Sequence, residues 1–268
     1  MIESFRVGCL QFCADDDLSA NLSQAEQLTR EAHAAGAELI CLPEYFAAIE
    51  VDDQTTLKKA LTEEQHPVLQ QFCRLAKELS AWLQIGSLPI RVSETQVNNR
   101  AFLINSFGEI VARYNKIHLF DVTLADGEIY QESKVVMAGT ELIVADLPWG
   151  KLGMSVCYDV RFPEQYRLMA KQGASFMTVP AAFTQTTGEA HWHALLKSRA
   201  IENGCFVFAA GQSGVRKTGR ATFGHSLIID PWGTILADAG SVSGFIVAEI
   251  NPTRVKEVRK MIPSLRHG

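Results

Sequence analysis

A chain of 268 residues, 47% of them hydrophobic, can bury a substantial core as one large domain or two small ones. Its 25 Lys and Arg against 30 Asp and Glu give a formal net charge of −5, which excludes an electrostatically driven nucleic-acid binder with an excess of basic side chains. Disorder is excluded by the same balance of high hydrophobicity and low net charge.

The opening segment Met1-Ile2-Glu3-Ser4-Phe5-Arg6 has no basic region followed by an apolar stretch, so no secretory signal is read there. No apolar run approaches the roughly 18 residues that span a bilayer, and no membrane partner is expected. Six cysteines lie far apart, at 9, 13, 41, 73, 157 and 205. Without an export signal they read as reduced thiols of a cytoplasmic protein.

In chain order, residues 5–11 read as a short strand. Asn21 to Ala35 places Leu22, Ala25, Leu28 and Ala32 at helical spacing, and Gly36 stands where a helix-ending glycine belongs. The continuous apolar run from Leu39 to Leu42 ends at Pro43-Glu44, the pattern of a strand buried on both faces emerging at its C-terminal end. Val68, Leu69, Phe72, Leu75, Ala76 and Leu79 predict an amphipathic helix, followed by a strand over 82–88. Residues 100–106 and 109–115 flank Phe107-Gly108 as a β-hairpin. Residues 120–134, with Asp126-Gly127, are polar and irregular, and read as a functional loop such as a lid. Beyond it, strands are expected over 151–156, 175–180, 205–210, 223–230, 234–238 and 244–250, with helices over 163–172 and 191–203. Pro231-Trp232-Gly233 marks a turn. Strands alternating with helices and mixed with hairpins predict a layered α/β architecture with mixed sheets. With no repeat and no Pro/Ser-rich linker, residues 1–268 read as one domain.

Several motifs fail. Gly211-Gln212-Ser213-Gly214-Val215-Arg216-Lys217-Thr218 has Arg216 where a phosphate loop requires glycine. No GxGxxG follows the first strand. Gly224-His225-Ser226 is not a nucleophile elbow, because Ile228 holds the final glycine position. His191 and His193 diverge on a helix, and zinc spacing is absent among the cysteines, so neither a metal nor a cofactor is expected.

Three strand ends carry reactive side chains. Glu44 follows the 39–42 strand, Lys116 the 110–115 strand, and Cys157 the 154–156 strand, just before Tyr158-Asp159. A cysteine on a strand-to-helix turn meets outward-pointing backbone N–H groups, whose dipoles favour a thiolate and an anion pocket. Each residue also has an ordinary reading: a cysteine as a small buried hydrophobe, the glutamate and lysine as solvated loop residues.

The wording around them is more specific. Pro43-Glu44-Tyr45, Tyr114-Asn115-Lys116-Ile117-His118-Leu119-Phe120 and Gly153-Met154-Ser155-Val156-Cys157-Tyr158-Asp159-Val160-Arg161-Phe162-Pro163-Glu164 resemble, in order, the three signature blocks of the nitrilase (carbon–nitrogen hydrolase) superfamily. The likeness runs from about Phe5 to Arg266. It includes Tyr130-Gln131-Glu132-Ser133, Gly188-Glu189-Ala190-His191-Trp192 and Phe223-Gly224-His225-Ser226, and it is greatest to the Nit branch, particularly its deaminated-glutathione amidases. The resemblance implies a four-layer αββα sandwich of mixed sheets. It also implies a homodimer or higher homo-oligomer, with the 191–203 helix and the C-terminal segment at the interface, unless that helix only packs on its own sheet.

It further implies a thiol amidase acting on a small anionic linear amide. Amides are poor electrophiles with poor leaving groups, and a cysteine nucleophile divides their hydrolysis into two easier steps. Glu44 would take the thiol proton, protonate departing ammonia, and activate water against the thioester; a raised carboxyl pKa in a closed pocket suits that role. Lys116 and the backbone N–H of Tyr158 would hold the oxyanion. Glu132 matches the family's second glutamate and would orient Lys116 and the substrate nitrogen, or else be an exposed loop carboxylate. Arg161 is a candidate for a substrate carboxylate or a structural ion pair. Phe183, Thr184 and Trp192 are candidate pocket walls, with Phe183 and Trp192 equally readable as core or interface aromatics. The competing substrate class is that of ω-amidases, dicarboxylate monoamides such as 2-oxoglutaramate. A non-catalytic binding protein with this fold is the third reading, against which Glu44, Lys116 and Cys157 all weigh.

Overall fold

The computed structural model describes residues 3–50, 52–124, 127 and 129–267. The first half runs β1 (Phe5–Gln11), α1 (Leu18–Ala34), β2 (Leu39–Cys41), α2 (Asp53–Lys59), α3 (Pro67–Leu79), β3 (Trp82–Arg91), β4 (Val97–Ile104) and β5 (Ile110–Asn115). A small hairpin follows, β6 (Asp121–Thr123) with β7 (Ile129–Gln131). The second half runs β8 (Ile143–Leu147), β9 (Gly150–Met154), α4 (Pro163–Lys171), β10 (Ala174–Thr178), α5 (Gln185–Asn203), β11 (Phe206–Ala209), β12 (Ser213–Val215) and β13 (Ala221–Phe223). It closes with β14 (Leu227–Ile229), β15 (Ile235–Asp238), β16 (Gly244–Ile250) and α6 (Thr253–Met261).

Two six-stranded sheets result, ordered β16-β1-β2-β3-β4-β5 and β15-β14-β11-β10-β9-β8. Each has three parallel central strands, β1-β2-β3 and β9-β10-β11, flanked by antiparallel ones. Alternation along the strands sorts the core into layers. Val7, Cys9, Leu39, Cys41, Ala101 and Leu103 of the first sheet share one apolar cluster with Leu152, Met154, Phe176 and Phe208 of the second. From the opposite face of the first sheet, Leu10, Ile40, Leu42, Leu83 and Phe102 meet α1 and α3. Helices α4 and α5 cover the outer face of the second sheet through Tyr166, Met169, Trp192, Leu196 and Ala200. The order of layers is αββα, as the family resemblance implies.

The segment 120–134 is not irregular, although it does line the pocket described below. Its described part is the β6–β7 hairpin followed by a 3₁₀ turn at Glu132–Lys134, while Asp126 lies outside the described residues. The short segments Asp121–Thr123 and Ile129–Gln131 pair with one another in antiparallel register, which gives these strands backbone partners. Helix α5 begins at Gln185, six residues before the predicted start. The predicted strand over 223–230 is split, with β13 ending at Phe223 and β14 beginning at Leu227, because His225 takes a left-handed φ of +50°.

One glycine bears on the site. Strand β3 is irregular between Ile85 and Leu88, and there Gly86 passes so close to the end of β2 that a Cβ would stand 2.2 Å from the Leu42 oxygen and 2.3 Å from that of Pro43. Only a residue without a side chain lets the chain bearing Glu44 cross here.

Candidate active site

Parallel strands deliver their C-terminal ends to one side of a sheet, and residues just beyond those ends gather there. Glu44 lies three residues past β2, and Lys116 immediately follows β5. Cys157 opens a 3₁₀ turn (Cys157–Arg161) after β9, and Glu132 opens the turn after β7. All four line one pocket of about 800 Å³, on the scale of small-molecule sites. Glu44 and Lys116 are each 2% exposed and Cys157 is 7% exposed.

The Lys116 ammonium donates to Glu44 Oε1 at 3.0 Å and to Glu132 Oε1 and Oε2 at 3.1 and 2.8 Å. Asn99, from β4, adds a second bridge: its side-chain N–H₂ donates to Glu44 Oε1 at 2.9 Å and Glu132 Oε1 at 3.1 Å. Backbone N–H groups complete the carboxylates, from Ala182 to Glu44 Oε2 at 2.8 Å and from Phe120 to Glu132 Oε2 at 2.7 Å. With so many donors fixed on them, both carboxylates are held in single orientations. Sequence reasoning missed Asn99; the available signal was the polar run Asn98-Asn99-Arg100 at the start of a strand that is apolar from Ala101 to Ile104.

These contacts reverse two electrostatic expectations. Burial alone would raise the Glu44 carboxyl, but the charge and hydrogen bond of Lys116 hold it below the ordinary carboxylate range. Burial likewise penalises the Lys116 ammonium, yet Glu132 and Glu44 together keep it charged, well above the usual lysine value. At Cys157 burial dominates, the Glu44 charge adds to it, and the thiol is pushed well above its ordinary value in spite of Lys116. The resting pair is therefore a thiol beside a carboxylate, not the thiolate that the turn's dipoles suggest. Cys157 takes a left-handed φ of +49°, its own N–H donates to Pro180 O at 2.8 Å, and the turn is tied down by Asp159. The fully buried Asp159 accepts from Val156 N–H at 2.8 Å, from Tyr114 O–H at 2.6 Å and from the His118 backbone N–H at 2.9 Å. Strain at a non-glycine residue persists where surrounding bonds determine it this fully.

Of the other predicted residues, Tyr158, Phe183 and Thr184 line the pocket. As the second residue of the 3₁₀ turn, Tyr158 has a backbone N–H with no intrahelical acceptor. Arg161 and Trp192 are not in the pocket wall. The Arg161 guanidinium stands over the rings of Phe183 and Tyr158, at 5.2 and 5.7 Å, with Nη1 3.3 Å from His191 Nδ1. The adjacent rings give it cation–π partners. Trp192 is fully buried behind Phe183, ring centroids 4.8 Å apart, with its indole N–H donating to His225 O at 2.8 Å. That bond satisfies the indole and fixes it as support for the wall.

Among the described residues, the group with ligand atoms close enough for a metal is His193, His225 and Asp238, within 4.8 Å of one another and outside the pocket. Their ring nitrogens already lie 3.0–3.2 Å from Asp238 carboxylate oxygens. Within the pocket, the set of a thiol, an ionised carboxylate beside it, a buried ammonium and the Tyr158 backbone N–H, which has no intrahelical acceptor, can supply nucleophile, base and oxyanion donors.

The Carbon-nitrogen hydrolase family profile matches residues 6–260. The chain belongs to the carbon–nitrogen hydrolase family. It is thus a hydrolase of carbon–nitrogen bonds other than peptide bonds. This carbon–nitrogen hydrolase is 44% identical to the deaminated glutathione amidase of Synechocystis sp., over 99% of this chain and 98% of that protein. Its fold matches the crystal structure of the Caenorhabditis elegans NitFhit protein with a TM-score of 0.93 at 35% identity, covering 99% of this chain and 65% of that one. It also matches Saccharomyces cerevisiae Nit3, a member of branch 10 of the nitrilase superfamily, with a TM-score of 0.88 at 29% identity, covering 97% and 95% of the two chains.

Proposed function

We propose that this carbon–nitrogen hydrolase is an amidase of small anionic linear amides, that Cys157 is its nucleophile, and that deaminated glutathione is its substrate. The observation that carries the reading is the buried Lys116 ammonium held between Glu44 and Glu132 in the pocket that Cys157 lines. Glu44, ionised at neutral pH, takes the proton of the Cys157 thiol as sulfur attacks the carbonyl carbon. The oxyanion that forms is held by the Lys116 ammonium and the Tyr158 N–H. Glu44 then gives its proton to the departing amine nitrogen, leaving a thioester on Cys157. It next accepts a proton from water, whose oxygen attacks the thioester; collapse returns the proton to sulfur and releases the acid. Glu132 keeps Lys116 charged and in place throughout.

The amidase names of full-length relatives support the substrate, as does a pocket roomy enough for a peptide-length amide. The reading includes one domain, supported by the core cluster that the two sheets share, and a homodimer. Ile201 of α5, Trp232, and Met261 and Ile262 at the end of α6 are each about half exposed, an apolar set that a second copy would cover. The test of the substrate is kcat/KM for deaminated glutathione and for 2-oxoglutaramate under one set of conditions, since the ratio measures differential transition-state binding. A higher value for deaminated glutathione is expected. A clear preference for 2-oxoglutaramate would place the protein with the ω-amidases, and turnover of no amide would leave a binding protein.

A further inference from the structure

The hairpin β12–β13 carries charges that the chemistry above does not use. Arg216 and Arg220 flank its turn, with the Arg216 N–H donating to Arg220 O at 3.0 Å. Thr222 bridges to Thr184, and the Phe223 N–H donates to Phe183 O at 3.0 Å, so the hairpin is fixed to the strip of chain that walls the pocket. Arg220 lines that pocket with Thr184 and Thr187, its guanidinium 4.8 Å from the centre of the Tyr130 ring.

Besides Lys116, the cations Lys59, Lys134 and Arg220 line the pocket, with Lys59 paired to Glu50 at 2.8 Å and Lys134 exposed, and Arg161, Arg216 and Lys217 stand nearby. Arg161 is outside the pocket lining, over the Phe183 ring, and Lys217 is exposed and paired with Asp16 at 2.7 Å. Arg216 and Arg220 have buried donors to spare. Arg216 is 4% exposed; its Nε donates to Ala14 O at 2.9 Å, but both Nη atoms are buried without a hydrogen-bond acceptor among the described residues. Arg220 Nε is in the same condition. Burial, together with the neighbouring Arg220, lowers the Arg216 pKa to about 10, with Cys13, Asp15 and Glu44 the opposing groups near it. Unpaired buried donors on two adjacent cations are costly, and a carboxylate supplies both the acceptors and the compensating charge. A guanidinium fork suits that partner geometrically.

We propose that Arg220, backed by Arg216, forms a carboxylate-binding subsite of the pocket that anchors one carboxylate of the substrate. This rests on the amidase reading, which supplies an anionic amide to be anchored. Arg220 is a binding residue here, with no part in the bond-breaking steps.

The experiment uses the intact protein with deaminated glutathione and two analogues in which one or the other carboxylate is a neutral carboxamide. The parent protein is expected to discriminate against one analogue by roughly 10- to 100-fold in kcat/KM, the range for one charge-assisted hydrogen-bonded contact. Arg220→Gln should slow deaminated glutathione to the rate of that analogue, chiefly through KM, and Arg220→Lys should recover part of the loss. If Arg220→Gln slows all three compounds by one factor, or the parent protein does not discriminate, the subsite is wrong while the amidase reading stands. If the parent protein hydrolyses none of the three, the amidase reading fails and the subsite with it.

Discussion

Cys157→Ala protein is expected to fold as the parent does and to lose amide turnover by on the order of 10⁴-fold or more, since removal of a nucleophile leaves only binding and oxyanion stabilisation. The fold should survive because the Cys157 side chain is not what secures the turn. The Cys157 N–H bond to Pro180 O and the four-donor shell of Asp159, which adds the His118 ring nitrogen at 2.8 Å, do not involve the sulfur. Alanine is smaller than cysteine and carries the same backbone cost at a φ of +49°. Steady-state rates together with an unchanged unfolding midpoint check this outcome. Substantial residual activity would move the nucleophile elsewhere, and Cys41, the other buried cysteine at a strand end, would be examined first.

Glu44→Gln is expected to cost roughly 10³-fold or more, and Glu132→Gln distinctly less. In the proposed mechanism a proton passes through Glu44 in both half-reactions, and a general base contributes about 10²–10⁴-fold. Glu132 is asked only to position Lys116 and the substrate nitrogen, and Lys116 also donates to Glu44 at 3.0 Å. Measured rates in the reverse order would exchange the two roles. The same geometry sets the acid limb of the pH profile. Lys116 keeps the folded-state pKa of Glu44 below the ordinary carboxylate value, so its ionised form, and the stability that ion pair contributes, persist through neutral pH. Both are lost only as pH falls through that depressed pKa. Activity of the parent protein should therefore hold down to the lower edge of the carboxylate range, and an acid limb near pH 6 to 7 would contradict the ion pair.

How much of this could be read from the chain depends on the distance over which each effect acts. A layered α/β architecture was legible because β1, β2, α3 and β9–β11 carry their own periodicity; the αββα order of layers came only from the family resemblance. Helix α2 buries no residue, and α6 buries only Val255 and Val258, so neither shows an apolar stripe. Strand β8 is a half-exposed edge of its sheet and gives little alternation. The strand-end positions of Glu44, Lys116 and Cys157 were visible, as were the blocks of sequence around them. Their protonation states were not, because those depend on charges 72 and 16 residues apart meeting at about 3 Å. For the same reason Arg161 and Arg220 could not be told apart: that Arg220 lines the pocket and Arg161 does not depends on how distant segments of the chain meet.

The central claim is that Cys157 carries the acyl group between the two half-reactions. Its most direct test is intact-mass spectrometry of the full chain mixed with a slowly hydrolysed amide and quenched in acid, followed by peptide mapping. The account predicts a mass increase equal to the acyl group, confined to the peptide containing Cys157 and absent from Cys157→Ala. An adduct on any other residue, or turnover without an adduct under conditions where deacylation is rate-limiting, would contradict it.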